Sequence, residues 1–258
     1  MTALLIVIAI LALLLFGVTR EFLVLRVRVR QRGLLRRWPV PRIPIEQLDP
    51  KFVPNELGAT LATEVAFVGR GTIRVPGGTS DAEAWILAVL ARDAKQMFEF
   101  GTCTGKTAYL WARNQPRDGR VITLTLAPDQ VASYRDASGD EATAADFARR
   151  ESAFTRFLYT GTEVEPRITQ LFGDSKAFDE TPWLDSCDVV FVDGSHAYSY
   201  VVSDSEKAMR MVKPGGLVLW HDYGAGCRGV FDALNQISRR LPLVHVAGTT
   251  LVAWRRPS

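Results

Sequence analysis

Cysteine and histidine are scarce: the 258-residue chain holds three of each. Cys103, Cys187 and Cys227 are far apart, show no C-x-x-C spacing and leave one thiol over in any pairing scheme. A disulfide framework is therefore not the organising device, and a reducing compartment is the simpler setting. Internal repeats are absent. Residues 1–18 carry no charged side chain. Hydrophobic residues at 47% and charged residues at 23% exclude wholesale disorder, collagen and low-complexity architectures. The length suits one large α/β domain or two small ones with an ordinary core.

What charge there is lies unevenly. Residues 19–43 hold eight arginines (Arg20, Arg26, Arg28, Arg30, Arg32, Arg36, Arg37, Arg42) against Glu21, a local +7, which leaves −4 on residues 44–258 out of a net +3. A basic excess confined to one short segment beside an apolar run fits a membrane flank, and the acidic remainder argues against nucleic acid. The run MTALLIVIAILALLLFGV would span roughly 27 Å as a helix, enough for a thin hydrocarbon core. A cleavable signal peptide needs a positive n-region and a small-x-small cleavage site, and GVTREF offers neither, so residues 1–19 read as a single-pass anchor. With the arginines all following it, the positive-inside rule places the C-terminal bulk in the cytoplasm. The stretch FLVLRVRVRQ is either an interfacial element on anionic headgroups or the same helix continued with snorkelling arginines.

Residues 20–54 read as a basic juxtamembrane segment and a proline-rich connector (Pro39, Pro41, Pro44, Pro50, Pro54) that breaks regular structure, and residues 55–258 as the domain. Helical and strand patterns then alternate, predicting a parallel sheet wrapped by helices. Ser80-Asp81-Ala82-Glu83 is a capping box that opens a helix with Ile86, Leu87 and Leu90 inward. MFEF reads as a buried strand leading through GTCTGKT into a second helix, and VITLTL as the next strand. Residues 137–162 form a polar, Ala-rich helical stretch, a candidate cap over a site. The strands ITQLF and DVVFVDG follow, then a helix ending at Lys213-Pro214-Gly215-Gly216, the strand LVLWHD, a further helix, and the terminal pair LVHVAG/TTLVAWR.

In such a sheet, ligands sit outside the carboxyl ends of the strands, so the residues following each apolar run are the candidates. Glu99-Phe100-Gly101-Thr102-Cys103-Thr104-Gly105 is a strand ending in an acid and turning through two glycines, which permit close backbone approach to a ligand. It fails the P-loop pattern, since Phe100 replaces the first glycine although Gly105-Lys106-Thr107 matches the end, and it fails the dinucleotide fingerprint at Cys103. Asp193 and His196 follow one later strand, His221 and Asp222 the next. If those strands are neighbours, both acids reach one cation. Asp174 and Ser175 follow ITQLF; alone they would be a turn. His245, inside an alternating strand, reads as structural.

In this order the segments resemble the class I S-adenosylmethionine-dependent methyltransferases, in the branch of macrolide sugar O-methyltransferases and cephalosporin-hydroxylase-like proteins. The resemblance covers roughly residues 76–256 and is most specific over FVDGSHAYSYVVSDSEKAMRMVKPGGLVLWHDY. It implies a doubly wound, mostly parallel seven-stranded sheet with an antiparallel last strand. It implies that Glu99, Gly101 and Gly105 line the methionine and ribose of the cofactor, with Cys103 in the same loop, and that Asp174 and Ser175 lie near the adenine. Asp193, His221 and Asp222 match its metal positions, Asp193 also counting with the cofactor, and His196 matches a base position. Thr125 stands where the family usually has a ribose-binding acid, Asp129 being the nearest carboxylate downstream; His221 stands where relatives often have a carboxylate.

The sequence thus reads as a membrane-anchored, cytoplasm-facing O-methyltransferase that uses S-adenosylmethionine and a divalent cation, Mg²⁺ or Mn²⁺. Its acceptor would be a hydroxyl of a sugar, glycolipid or other small molecule, and the chain is compatible with a homo-oligomer. Two rivals are a catalytically silent, membrane-tethered binding module and a P-loop-like phosphotransferase using Lys106 and Thr107.

Overall fold

The structure, a computed structural model, describes the backbone of residues 2–35 and 39–258 and the side chains of residues 5–26 and 39–258. It divides into two compact units, residues 1–39 and 40–258. In the first, α1 (Thr2–Leu35) is one unbroken helix, so FLVLRVRVRQ continues the helix and forms no strand. The side chains of Arg28, Arg30, Arg32, Arg36 and Arg37 lie outside the described residues. Residues Leu5–Arg26, with a mean hydropathy of 2.3, are long and apolar enough to cross a membrane by length and composition, a test that a signal sequence also passes.

The second unit is built around a sheet of eight strands, one more than expected. In chain order these are β1 (Arg42–Ile43), β2 (Gln96–Phe100), β3 (Arg120–Thr125), β4 (Ile168–Phe172), β5 (Cys187–Val192), β6 (Val212–Trp220), β7 (Val244–Val246) and β8 (Val252–Arg255), arranged β1-β7-β8-β6-β5-β2-β3-β4. Only the β8 pairings, to β6 and β7, are antiparallel, as the terminal pair led one to expect. The extra strand comes from the segment expected to be an irregular connector. Arg42 and Ile43 pair with His245 and Val246, and Val40, Leu48 and Phe52 are buried. Prolines here punctuate two short 3₁₀ turns without detaching the segment: their fixed φ suits a sheet edge and the first position of a turn, where no N–H is needed.

Helices α2 (Asp81–Ala91) and α3 (Lys106–Asn114) bury Ile86, Leu87, Leu90 and Trp111 on one face, against Met97, Phe191, Leu217 and Leu219. On the other face, α5 (Tyr198–Met211) is tied to β6 where Trp220 Nε1 donates to Ser205 Oγ at 2.8 Å. Period-two alternation along each strand thus supplies two apolar faces, as a doubly wound sheet requires. Between β3 and β4, only α4 (Ala144–Glu151) of the expected long helix forms. Gly139 and Gly161 both take positive φ, and Ser, Thr and Asp side chains compete for the backbone on either side. The helix α6 (Arg228–Ile237) completes the unit.

Candidate active site

The carboxyl ends of β2, β3, β4 and β5 open on a cleft. Its walls are the turn after β2 (Gly101, Cys103), the ends of β3 and β4 (Leu124, Thr125, Leu126; Gly173, Asp174, Ser175) and the loop after β5 (Gly194, Ser195). Ala148, Glu151 and Ser152 of the α4 region cover it, and Tyr134, Tyr200 and Asp204 close one side. The rings of Tyr134 and Tyr200 stack at 4.5 Å. A second cavity lies on Gly77, Gly78, Phe147, Asp193, His196, His221 and Asp222, and it shares Cys103 and Glu151 with the cleft. The stretch read as a cap does cap, through one short helix.

The second cavity owes its chemistry to β5 and β6 being neighbours, with Val192 opposite Trp220. Asp193 and His221 follow directly, and His221 Nδ1 lies 3.0 Å from Asp193 Oδ1 and 3.3 Å from Asp222 Oδ2. His196 Nε2 lies 2.9 Å from Asp222 Oδ2, and its Nδ1 is 4.0 Å from Cys227 Sγ. Asp222 sits at φ +59, a left-handed conformation that turns its carboxylate back between the two imidazoles. Burial works against charge throughout the cluster. At His196 the hydrogen bond to Asp222 overrides it and pushes the imidazole up to about 11. At His221, Asp193 and its neighbours override burial in the same way and raise the ring well above its ordinary value. Asp193 is pushed up by burial, whereas the two histidines hold Asp222 far down.

The sequence reading missed two members of this site. Glu83, taken only as the acid of a capping box, does form that box with Ser80. Its Oε2 also lies 3.3 Å from His221 Nε2, and its Oε1 accepts from Thr250 N at 2.7 Å and Thr250 Oγ1 at 2.9 Å. Glu151, on the cap, stands where both cavities meet; burial and the neighbouring carboxylates push it up to about 7. A local pattern had marked each of them as helical, and neither carried a sign of its distant partner.

Of the expected cofactor positions, Gly101, Cys103, Thr125, Asp174 and Ser175 line the cleft, whereas Glu99 and Gly105 do not. Glu99 is 1% exposed and turns under the sheet, where Thr123 Oγ1 donates to its Oε2 at 2.7 Å and Thr102 Oγ1 lies 2.7 Å from Thr123 Oγ1. Burial pushes Glu99 up to about 8. The glycines answer protein neighbours: a Cβ on Gly101 (φ +99) would lie 2.0 Å from the Asp193 carbonyl oxygen, and one on Gly105 2.8 Å from Phe157 Cβ. Burial raises the Cys103 thiol to about 12, so it meets the cleft uncharged. Asp193 lines the second cavity and not the cleft, Asp129 is exposed, and Lys106 and Thr107 line neither cavity, which removes the basis of a phosphate cradle. His245 is structural as expected, with Nε2 2.8 Å from Thr249 O.

The residues fit a nucleoside-bearing cofactor. The cleft couples an apolar half walled by Leu124, Leu126 and two tyrosines to a polar half, and the buried Asp204 Oδ1 on its wall has no hydrogen-bond partner. They also fit a divalent cation. Ligand atoms of Asp193, His221 and Asp222 all lie within 4.8 Å of one another, and two carboxylates with one imidazole suit Mn²⁺ and, less well, Mg²⁺.

Residues 98–223 match a family model described as a methyltransferase domain. Among solved structures, the S-adenosylhomocysteine-bound methyltransferase PaMTH1 of Podospora anserina is 17% identical, with a TM-score of 0.51, over 72% of this chain and 83% of that one. The O-methyltransferase NovP is 19% identical, with a TM-score of 0.51, over 69% and 81%. No curated protein sequence matches the chain.

Proposed function

We propose that this chain, whose residues 98–223 match a methyltransferase-domain model, uses S-adenosylmethionine for O-methyl transfer to a hydroxyl of a sugar, glycolipid or other small molecule. The observation that carries this reading is the shared wall of Cys103 and Glu151, which sets the cleft we assign to the cofactor beside a cavity lined by two histidines and two aspartates. That is the arrangement needed to bring a donor methyl and an acidified hydroxyl together.

Bound S-adenosylmethionine supplies an electrophilic methyl on a sulfonium. Asp193, His221 and Asp222 would hold a divalent cation, Mg²⁺ or Mn²⁺, whose charge would lower the pKa of the acceptor hydroxyl. His196 keeps its Nε2–H on Asp222 Oδ2 and takes the acceptor proton at Nδ1, which faces Cys227 Sγ. Asp222 favours the imidazolium, so the ring is charged at rest; a cation held by Asp193, His221 and Asp222 would draw on the Asp222 charge and favour the neutral ring that accepting a proton requires. Glu83 fixes His221 from the opposite side, and Phe147, 5.2 Å from the His196 ring, covers it from α4.

We place the chain in a membrane through α1, with the domain on the cytoplasmic side, where the arginines following the apolar run would hold it. A reporter fused after Ser258 should be active only on the cytoplasmic side, and a mature chain lacking residues 1–18 would overturn the anchor.

The deciding experiment is labelled methyl transfer from S-adenosylmethionine into a membrane extract by the full chain. Base-stable label in an ether linkage supports the reading. Label on nitrogen or carbon overturns the acceptor class, and cofactor binding with no transfer leaves a silent binding module.

A further inference from the structure

Cys103 and Cys187 are buried, whereas Cys227 is half-buried. Cys227 is the N-cap residue of α6, where its side chain makes no capping hydrogen bond, and its Sγ lies 4.0 Å from His196 Nδ1. Nε2 of the same ring is 2.9 Å from Asp222 Oδ2. One ligand atom from each of these three residues, a nitrogen, a carboxylate oxygen and a sulfur, lies within 4.8 Å of the other two, and all three side chains are partly exposed. The framework holds this spacing. The helix α6 packs so closely on the loop after β5 that a Cβ on Gly229 would lie 2.2 Å from the His196 carbonyl oxygen. Asp222 is set by its left-handed backbone, whose N–H donates to Thr250 Oγ1 at 3.2 Å.

The donor set decides which cation suits it. Mg²⁺ and Ca²⁺ take oxygen ligands, whereas sulfur with one imidazole and one carboxylate suits tetrahedral Zn²⁺ with a fourth position open. Bonds of about 2.0 Å to nitrogen and 2.3 Å to sulfur hold two such ligand atoms about 3.5 Å apart, so the nitrogen–sulfur pair closes on a cation by roughly half an ångström. We propose that His196, Asp222 and Cys227 form a second cation site, selective for thiophilic divalent ions such as Zn²⁺, that shares only Asp222 with the set assigned to Mg²⁺ or Mn²⁺. Binding releases the Cys227 thiol proton to solvent and seats the cation on His196 Nδ1. Resting on the role given above to that nitrogen as acceptor of the substrate proton, occupancy of the second site shuts off methyl transfer, and zinc inhibits where the harder cation activates.

Cobalt reports the site without an acceptor substrate, because a Co²⁺–thiolate bond gives a near-ultraviolet charge-transfer band that oxygen and nitrogen ligands do not. The full chain in detergent, kept reduced, should develop this band on titration with Co²⁺, keep it in excess Mg²⁺ and lose it on addition of Zn²⁺. Cys227→Ser should show no band and should bind Zn²⁺ about 10- to 100-fold more weakly. In the wild type, Zn²⁺ but not Mg²⁺ should slow alkylation of Cys227 by iodoacetamide, followed by mass spectrometry, which needs no variant to fold. No band in the wild type, the same band in Cys227→Ser, or alkylation unaffected by Zn²⁺ each overturns the site. In the labelled-transfer assay, Zn²⁺ should inhibit the wild type at concentrations about 10- to 100-fold below those that inhibit Cys227→Ser; equal inhibition overturns the shut-off. A chain that binds Co²⁺ through Cys227 and transfers no methyl group refutes the proposed function and leaves the site standing.

Discussion

Glu83 Oε2 lies 3.3 Å from His221 Nε2 across 138 residues of chain, tying the first turn of α2 to the carboxyl end of β6. The same carboxylate caps its own helix and accepts from Thr250, so one side chain holds three elements in register around the second cavity.

Glu83→Gln should therefore damage both stability and the site. The amide offers one acceptor oxygen where the carboxylate uses two, and its N–H₂ would face the Ser80 or Thr250 backbone N–H. The expected loss is about 1–3 kcal/mol, a fall of several degrees in thermal unfolding. Apparent affinity for an activating cation should drop about 10- to 100-fold, read by titrating activity against Mn²⁺.

The glycines of the cleft separate folding from binding. Gly101→Ala places a Cβ 2.0 Å from the Asp193 carbonyl oxygen in a positive-φ backbone, so it should destabilise the domain by roughly 3 kcal/mol or more. Gly173 lines the same cleft, has no heavy atom within 4 Å of a built Cβ and does not take positive φ. Gly173→Val should leave thermal unfolding unchanged while weakening S-adenosylhomocysteine binding by about tenfold, or 1.4 kcal/mol. Equal binding by this variant would show that the cofactor does not approach the end of β4.

Glu99 links stability to pH. Its carboxyl is pushed from an ordinary 4.5 up to about 8 by burial, so between those values the folded chain binds a proton that the unfolded chain has lost. The contribution is then fully favourable below about pH 4.5, is lost as pH rises toward 8, and is constant above that. Glu99→Gln, which still accepts from Thr123 Oγ1, should flatten this slope and stabilise the fold at pH 9 by an amount on the order of a few kcal/mol, read as a higher unfolding temperature. An unchanged pH profile would mean that Glu99 is ionised in the fold.

Base and metal roles leave different kinetic signatures. His196→Ala should lower kcat by about 10²–10⁴-fold with little change in metal dependence. Asp222→Ala should be partly rescued by excess Mn²⁺ or Mg²⁺ and should leave S-adenosylhomocysteine binding intact. If chelation leaves the wild-type rate unchanged, Asp193 and Asp222 position the acceptor without a cation. If His196→Ala keeps full activity across pH, the proton goes to another group.

The strand ends carrying Gly101, Asp174, Asp193, His196, His221 and Asp222 were legible in the linear chain. A buried strand announces itself by a short apolar run, and the ligand-bearing residues of a doubly wound sheet come directly after such runs. The α2 capping box and the apolar run of α1 are equally local, because cap and hydropathy are properties of consecutive residues. The tertiary structure decided everything that depends on who stands opposite whom. Ile43 joins the sheet because Val246 offers it an edge, and Glu99 turns into a threonine network because β3 brings Thr123 beside it. Gly101 must be glycine because the loop after β5 passes against it. Glu83 and Glu151 reach the site from helices whose own periodicity says only that they are helices. Long-range contacts of this kind leave no mark on neighbouring residues, since a carboxylate's partner is set by the path of the chain through space and not by its distance along it.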